Sequence, residues 1–290
     1  MTEYANRSAR AHAPADDEAD LRSLLASPRE PERRDAALAL VDRADEAGID
    51  EATIGALAER VRTDDSTDVR QFAVEALGAG GPAQRAERAI RAALDRDGDE
   101  WVRAEAVVAL SRVAPDDGAS LRAALDDDSG FVRRNAVIAL GKTGAGTDET
   151  FADRLKNDPH PAVREYAAQF LGRTADDVPE AVRLLAAILA REPEAFVRAK
   201  AADALGELGT DRAEQAIETH GLTDRSDDVR RAAETALAAA RGVDPDHLDV
   251  DVEEPSPPGG GPQSPRETPK GGPSPEPKGP GPSREFEFDR

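Results

Sequence analysis

The tripeptide Gly141-Lys142-Thr143, inside the stretch GFVRRNAVIALGKTGAG, has the residue types that close a phosphate-binding loop. That chemistry needs a glycine five positions earlier, so that backbone N–H groups can wrap the phosphates, and a strand leading into a helix N-terminus. Ala136 stands at the early position. Val132, Ala136, Ala139 and Leu140 also follow a helical spacing, which puts Gly141 to Thr143 at a helix C-terminus, where the dipole repels anions. The nucleotide reading therefore fails. The histidines His12, His160, His220 and His247 are dispersed, and cysteine is absent, so no metal-ligand set or thiolate chemistry is legible. His160, in PHPAVR, reads as a helix-entry residue and His220 as a helix-end residue. Carboxylates are so abundant, 59 Asp plus Glu, that a close pair carries no catalytic information. No catalytic residue, cofactor or metal is expected.

The elements that position these residues come from a repeat. The stretch recurs as DVRQFAVEALGAGG from Asp68, WVRAEAVVALSRVA from Trp101, FVRRNAVIALGKTG from Phe131, AVREYAAQFLGRTA from Ala162, FVRAKAADALGELG from Phe196 and DVRRAAETALAAAR from Asp228, with a weaker first copy, PERRDAALALVDRA, from Pro31. Between the equivalent arginines Arg33, Arg70, Arg103, Arg133, Arg164, Arg198 and Arg230 the steps are 37, 33, 30, 31, 34 and 32 residues. A period of this size means stacked supersecondary units. In V-R-x-x-A-x-x-A-L the valine, both alanines and the leucine share one helical stripe, a buried face. Each copy follows a second apolar-periodic segment, for example Ile54, Leu57 and Val61, so each repeat is a helical pair. Acidic links such as TDDST and DDDSG supply caps, and Gly81, Gly144 and Gly209 can stop helices in the left-handed conformation. The small residue after each leucine (Gly78, Ser111, Gly141, Gly172, Gly206, Ala238) implies close approach to a neighbouring helix. Arg70, Arg103, Arg133, Arg164, Arg198 and Arg230 are expected to form a structural ladder of ion pairs between repeats. An acidic residue five or six positions earlier, as in Asp65/Arg70, Asp97/Arg103, Asp128/Arg133 and Asp158/Arg164, is the expected partner.

The 290 residues divide into a disordered leader (1–16), an array of about seven helical pairs (17–241) and a disordered tail (242–290), acidic and then Pro/Gly-rich, that ends in REFEFDR. The formal charge is −21, and five lysines stand against 33 arginines. Such a surface repels nucleic acid, which is attracted by clustered positive charge. The acid-rich, lysine-poor composition resembles that of halophile proteins. No apolar run approaches the roughly 20 residues that span a bilayer, and the N-terminus lacks an apolar signal core, so a cytoplasmic location is expected, without membrane attachment.

On V-R-x-x-A-x-x-A-L-G at a step near 30, residues 18 to 241 resemble the short HEAT-like repeats of phycobilin lyases and deoxyhypusine hydroxylase. The resemblance implies an all-α, right-handed alpha-alpha superhelix in which the second helix of each pair lines the concave face. It also names two enzyme alternatives. The hydroxylase family binds paired iron through His-Glu dipeptides, and no histidine here precedes a glutamate. The lyase alternative needs a bilin, of which the sequence gives no independent sign. A nucleic-acid-binding array is the third alternative, disfavoured by charge.

What the sequence supports is a non-catalytic protein-binding scaffold or regulatory adaptor. Residues two, three and six places after each valine should face the partner. There Val108 and Ile138 are apolar, beside Glu105, Arg134, Asn135 and Gln169, with Phe72 and Tyr166 on either side. Trp101, Phe131 and Phe196, each just before a valine, read as hydrophobic staples at helix entry. Phe286 and Phe288, alternating in the last residues, are a candidate docking peptide.

Overall fold

The computed structural model describes residues 17–244. The expected leader, most of the expected tail, and Phe286 and Phe288 lie outside the described residues. Among those described, every regular element is helical. Seven antiparallel pairs follow in order: α1 (Glu18–Leu24) with α2 (Glu30–Ala47), α3 (Glu51–Thr63) with α4 (Thr67–Ala79), α5 (Gln84–Arg96) with α6 (Glu100–Val113), and α7 (Gly118–Ala123) with α8 (Gly130–Thr143). Then come α9 (Asp148–Asn157) with α10 (Pro161–Thr174), α11 (Val178–Arg191) with α12 (Ala195–Leu208), and α13 (Asp211–Ala216) with α14 (Asp227–Arg241).

The helices begin and end where local chemistry dictates. Side chains of Asp50, Ser66, Asp99, Asp117, Ser129, Thr147, Asp177 and Thr210 each accept a backbone N–H of the following first turn. Gly144 and Gly209 close α8 and α12 at φ 72° and 57°, a conformation that costs a side chain energy.

Two layers result. The second helices α2, α4, α6, α8, α10, α12 and α14 pack successively on one another; each first helix from α1 to α11 packs on its own partner, and α14 is met by the helical turn Ile217–Gly221 that follows α13. The repeated stripe is the core: Val102, Ala106, Ala109 and Leu110 are at most 1% exposed, and their counterparts in α4, α8, α10, α12 and α14 are buried likewise. First helices contribute Leu57, Ile90, Leu121, Leu155 and Leu185, and Ile217 comes from the turn that follows α13.

The small residue after the leucine has a measurable reason. A Cβ on Gly172 would lie 2.6 Å from the Cβ and 2.8 Å from the Cα of Ala204 on the next second helix. Gly78 meets Ala109 and Gly206 meets Ala236 in the same way, while at Gly141 the space is filled by the Phe170 ring. Here the contact includes backbone, so Gly172→Val cannot be absorbed by a rotamer change. Its expected cost is about 1–3 kcal/mol in urea unfolding, with the midpoint lowered and the slope unchanged; an unchanged midpoint would refute this packing account.

Candidate functional site

The repeated arginine lies in the first turn of each second helix, a position that forces its side chain toward the links. Arg33, Arg70, Arg103, Arg133, Arg164 and Arg198 each make a forked pair of hydrogen bonds, Nε and Nη2, to the carboxylate of Asp64, Asp97, Asp127, Asp158, Glu192 and Asp224. This corrects the expected partner. The acid belongs to the following repeat, not to the link five or six residues earlier. The reason is that the carboxylate residue ends the first helix of its pair: its backbone carbonyl accepts Nη1 of its own repeat's arginine, as Asp158 does from Arg164 at 2.9 Å, while its side chain turns back to the arginine of the repeat before. Asp65 and Asp128 contribute backbone carbonyls to Arg70 and Arg133. The carboxylate also accepts the N–H two residues on, so it caps a turn as well as joining repeats. Arg230, in the last described second helix, pairs instead with Asp227 of its own helix. Burial alone pushes the Asp64, Asp127, Asp158 and Asp224 carboxyls up, but their arginines and N–H donors outweigh it and hold them below the ordinary carboxylate range.

With repeats fixed in register, equal positions on α4, α6, α8 and α10 form rows. Phe72, Glu105, Val108, Arg134, Asn135, Ile138, Tyr166 and Gln169 are all half-buried on these helices. They do not act alike. Asn135 donates to the Ala104 carbonyl of α6 at 2.9 Å and accepts from Arg134 at 3.0 Å, so this pair ties α8 to α6. Phe72, Ile138 and Tyr166 pack against the core, whereas Val108 is half-buried without joining it. Glu105 is held up to about 7, first by burial and then by the Glu75 carboxylate, with Arg112 opposing. Glu75 is also raised, by burial and Asp42 against Arg112, and Glu165 by burial against Lys200 and Arg134. Glu75 and Glu165 occupy motif positions that the sequence marks as facing outward. They escape notice there because a polar residue at such a position looks fully solvated.

A second row runs along the helix starts. The Trp101 and Phe131 ring centroids are 4.6 Å apart, Phe131 and His160 are 5.5 Å apart, and the Arg134 guanidinium lies 5.8 Å over Phe131. These rings are not hydrophobic staples. Trp101, Phe131 and Phe196 are second residues of α6, α8 and α12, inside the first turn, so Trp101 and Phe131 reach across to the neighbouring repeat instead of back along their own helix. Trp101 and Phe196 remain 39% and 43% exposed. His160 is the residue preceding α10, and its ring fits only because residue 130 is glycine, where a Cβ would come within 2.4 Å.

Among the described residues, no group of three or more His, Cys, Asp or Glu side chains is placed to hold a metal ion, and no helix is long and apolar enough to cross a membrane. The GKT tripeptide is the end of α8, as its spacing implies.

A family profile described as HEAT repeats matches residues 54–141 and 148–238, together more than half of the chain. None of the curated proteins matches. Among solved structures, human deoxyhypusine hydroxylase in complex with glycerol is similar at 25% identity over 78% of this chain and 84% of that one, with a TM-score of 0.37. The complex of CpcE and CpcF of phycocyanin lyase from Nostoc sp. PCC7120 is similar at 22% identity over 77% and 88%, with a TM-score of 0.48. An engineered protein is similar at 20% identity over 79% and 98%, with a TM-score of 0.36.

Proposed function

This chain belongs to the HEAT-repeat family, and from that premise we propose that it is a non-catalytic protein-binding scaffold or regulatory adaptor. Its partner is a protein held on the second-helix layer, the concave side of the array, at the third to fifth repeats. The observation that carries this reading is the neighbourhood on α6. Val108 is half-buried outside the core, and Glu105 is desolvated with neither a hydrogen bond nor an ion pair among the described residues. An apolar group in this state gains when a partner covers it, and the carboxylate gains when that partner supplies a hydrogen-bond donor or a cation. The arginine ladder supports the same reading, because a rigid stack presents such a patch in one geometry. Tyr166 and Ile138 flank the patch but also support the core, and Arg134 is engaged by Asn135.

Val108 is therefore the discriminating position. Affinity capture with the full chain in concentrated KCl, read by mass spectrometry, is expected to recover a partner that Val108→Asp loses. A truncated hot spot costs about 2 kcal/mol or more in binding, while Val108→Asp, at a half-buried position outside the core, is expected to cost about 1 kcal/mol in stability. The melt should thus stay cooperative, with a modestly lowered midpoint. Identical recovery by the variant and the wild type would move the partner off this face, and a collapsed melt would show that Val108 is core.

A further inference from the structure

First helices of neighbouring repeats lie side by side with grooves between them. The groove between α3 and α5 encloses about 500 Å³. Arg62, Arg85, Arg88 and Arg96 surround it, over a floor that includes Gly55, Ala58 and Ala89. A Cβ on Gly55 would lie 3.0 Å from Arg85 Nη1, so glycine keeps the floor open beneath that guanidinium.

The charges do not cancel within the groove. Its two carboxylates are already engaged, Glu59 with Arg62 at 2.7 Å and Asp97 with Arg70 at 2.8 Å. Arg85 has only Glu51 at 3.8 Å, and Arg88 and Arg96 make no hydrogen bond or ion pair among the described residues. This concentration of unneutralised cations occurs in a chain of net charge −21. It is not a property of the repeat. The corresponding groove between α9 and α11 has the same volume, about 500 Å³, yet carries Asp148, Glu149, Asp153, Asp177 and Glu180 against Lys156. Stacking supplies the cleft, and the side chains set its sign.

Guanidinium groups present forked donors that match the paired oxygens of phosphate and carboxylate, and a cleft of this volume suits a small molecule. We propose that the groove between α3 and α5 is a binding site for a small anion carrying two or more phosphate or carboxylate groups. Charge complementarity does the recognising, and the low floor lets the anion reach several guanidiniums at once.

Titration calorimetry with the full chain tests this, using inorganic pyrophosphate and citrate as probes at about 0.15 M KCl, where surface charges more than about 8 Å apart are screened. One equivalent of pyrophosphate, citrate or both is expected to bind, and which of them does so separates phosphate from carboxylate recognition. The double variant Arg88→Gln with Arg96→Gln is expected to weaken that binding about tenfold or more. Arg212→Gln, which removes an exposed arginine on α13, is expected to leave it unchanged. No binding of either probe at about 10 mM would overturn the proposal. Equal weakening by Arg212→Gln would also overturn it, by showing attraction to diffuse charge and not to the groove. Both groove arginines are exposed, so the variants fold and either result is readable.

Discussion

Asp158→Ala is expected to destabilise the array by about 3–5 kcal/mol, the range for removing one partner of a buried ion pair and stranding the other. Arg133 is 9% and Asp158 5% exposed, and the substitution removes both forked bonds, at 2.8 and 2.9 Å, together with the acceptor for the His160 N–H. What is left to Arg133 is the carbonyls of Asp127 and Asp128. Because each repeat touches only its neighbours, the loss falls on the joint between the fourth and fifth repeats. Urea unfolding followed by circular dichroism should show it as a lowered midpoint. The exposed pair Arg231–Asp228 sets the contrast: Asp228→Ala, at 82% side-chain exposure, should change stability by less than about 1 kcal/mol. A double replacement, Arg133→Met with Asp158→Leu, should recover much of the loss, since buried pairs are often matched by packed apolar groups. A loss below about 1 kcal/mol for Asp158→Ala would mean that the ladder only decorates the joint.

The second large effect runs the other way. Glu105→Gln is expected to stabilise the fold above neutral pH by up to about 3 kcal/mol, the equivalent of raising a carboxyl from its ordinary value of 4.5 to about 7. The sign follows from proton uptake. In the unfolded chain Glu105 releases its proton near 4.5, whereas in the folded chain burial and Glu75 keep it protonated until about 7. Wild-type stability therefore falls as pH rises through that window and is flat beyond it, and the glutamine variant lacks the fall. Ladder carboxylates such as Asp158 behave oppositely. Their folded values lie below the ordinary 3.8 of an aspartate, so their contribution is complete above it and is lost on acidification. Melts between pH 4 and 8 isolate the Glu105 effect, because the ladder's loss lies at lower pH. A difference between Glu105→Gln and wild type that does not change with pH would show that Glu105 is solvated, and would weaken the case for a covered patch on α6.

Most of the fold was legible because its information is local. A stripe of valine, alanine and leucine at helical spacing, caps in the acidic links and a step near 32 residues specify helical pairs without reference to anything distant, and seven such pairs stand among the described residues. The glycine after the leucine was readable as close approach, since only crowding makes a helical glycine worth its cost. Its particular neighbour was not readable: at Gly172 it is Ala204, at Gly141 the ring of Phe170.

The candidate site was less legible, because its residues meet through stacking. Arg133 stands five and six residues from Asp128 and Asp127 and 25 from Asp158, and nothing in the motif says which carboxylate its fork will hold. The offset between successive helical pairs decides it, by bringing the end of one first helix over the first turn of the preceding second helix. Glu105 and Val108 were visible as outward positions, but their half-burial depends on α4 and α8 lying against α6. In the same way the arginines of α3 and α5 are unremarkable polar periodicity until the two helices lie side by side. Sequence by itself thus determined what each repeat is, through interactions that span a few turns. Tertiary structure alone decided which charges are neutralised between repeats and which are left facing outward, because the distances that set electrostatic energy exist only once the repeats are stacked.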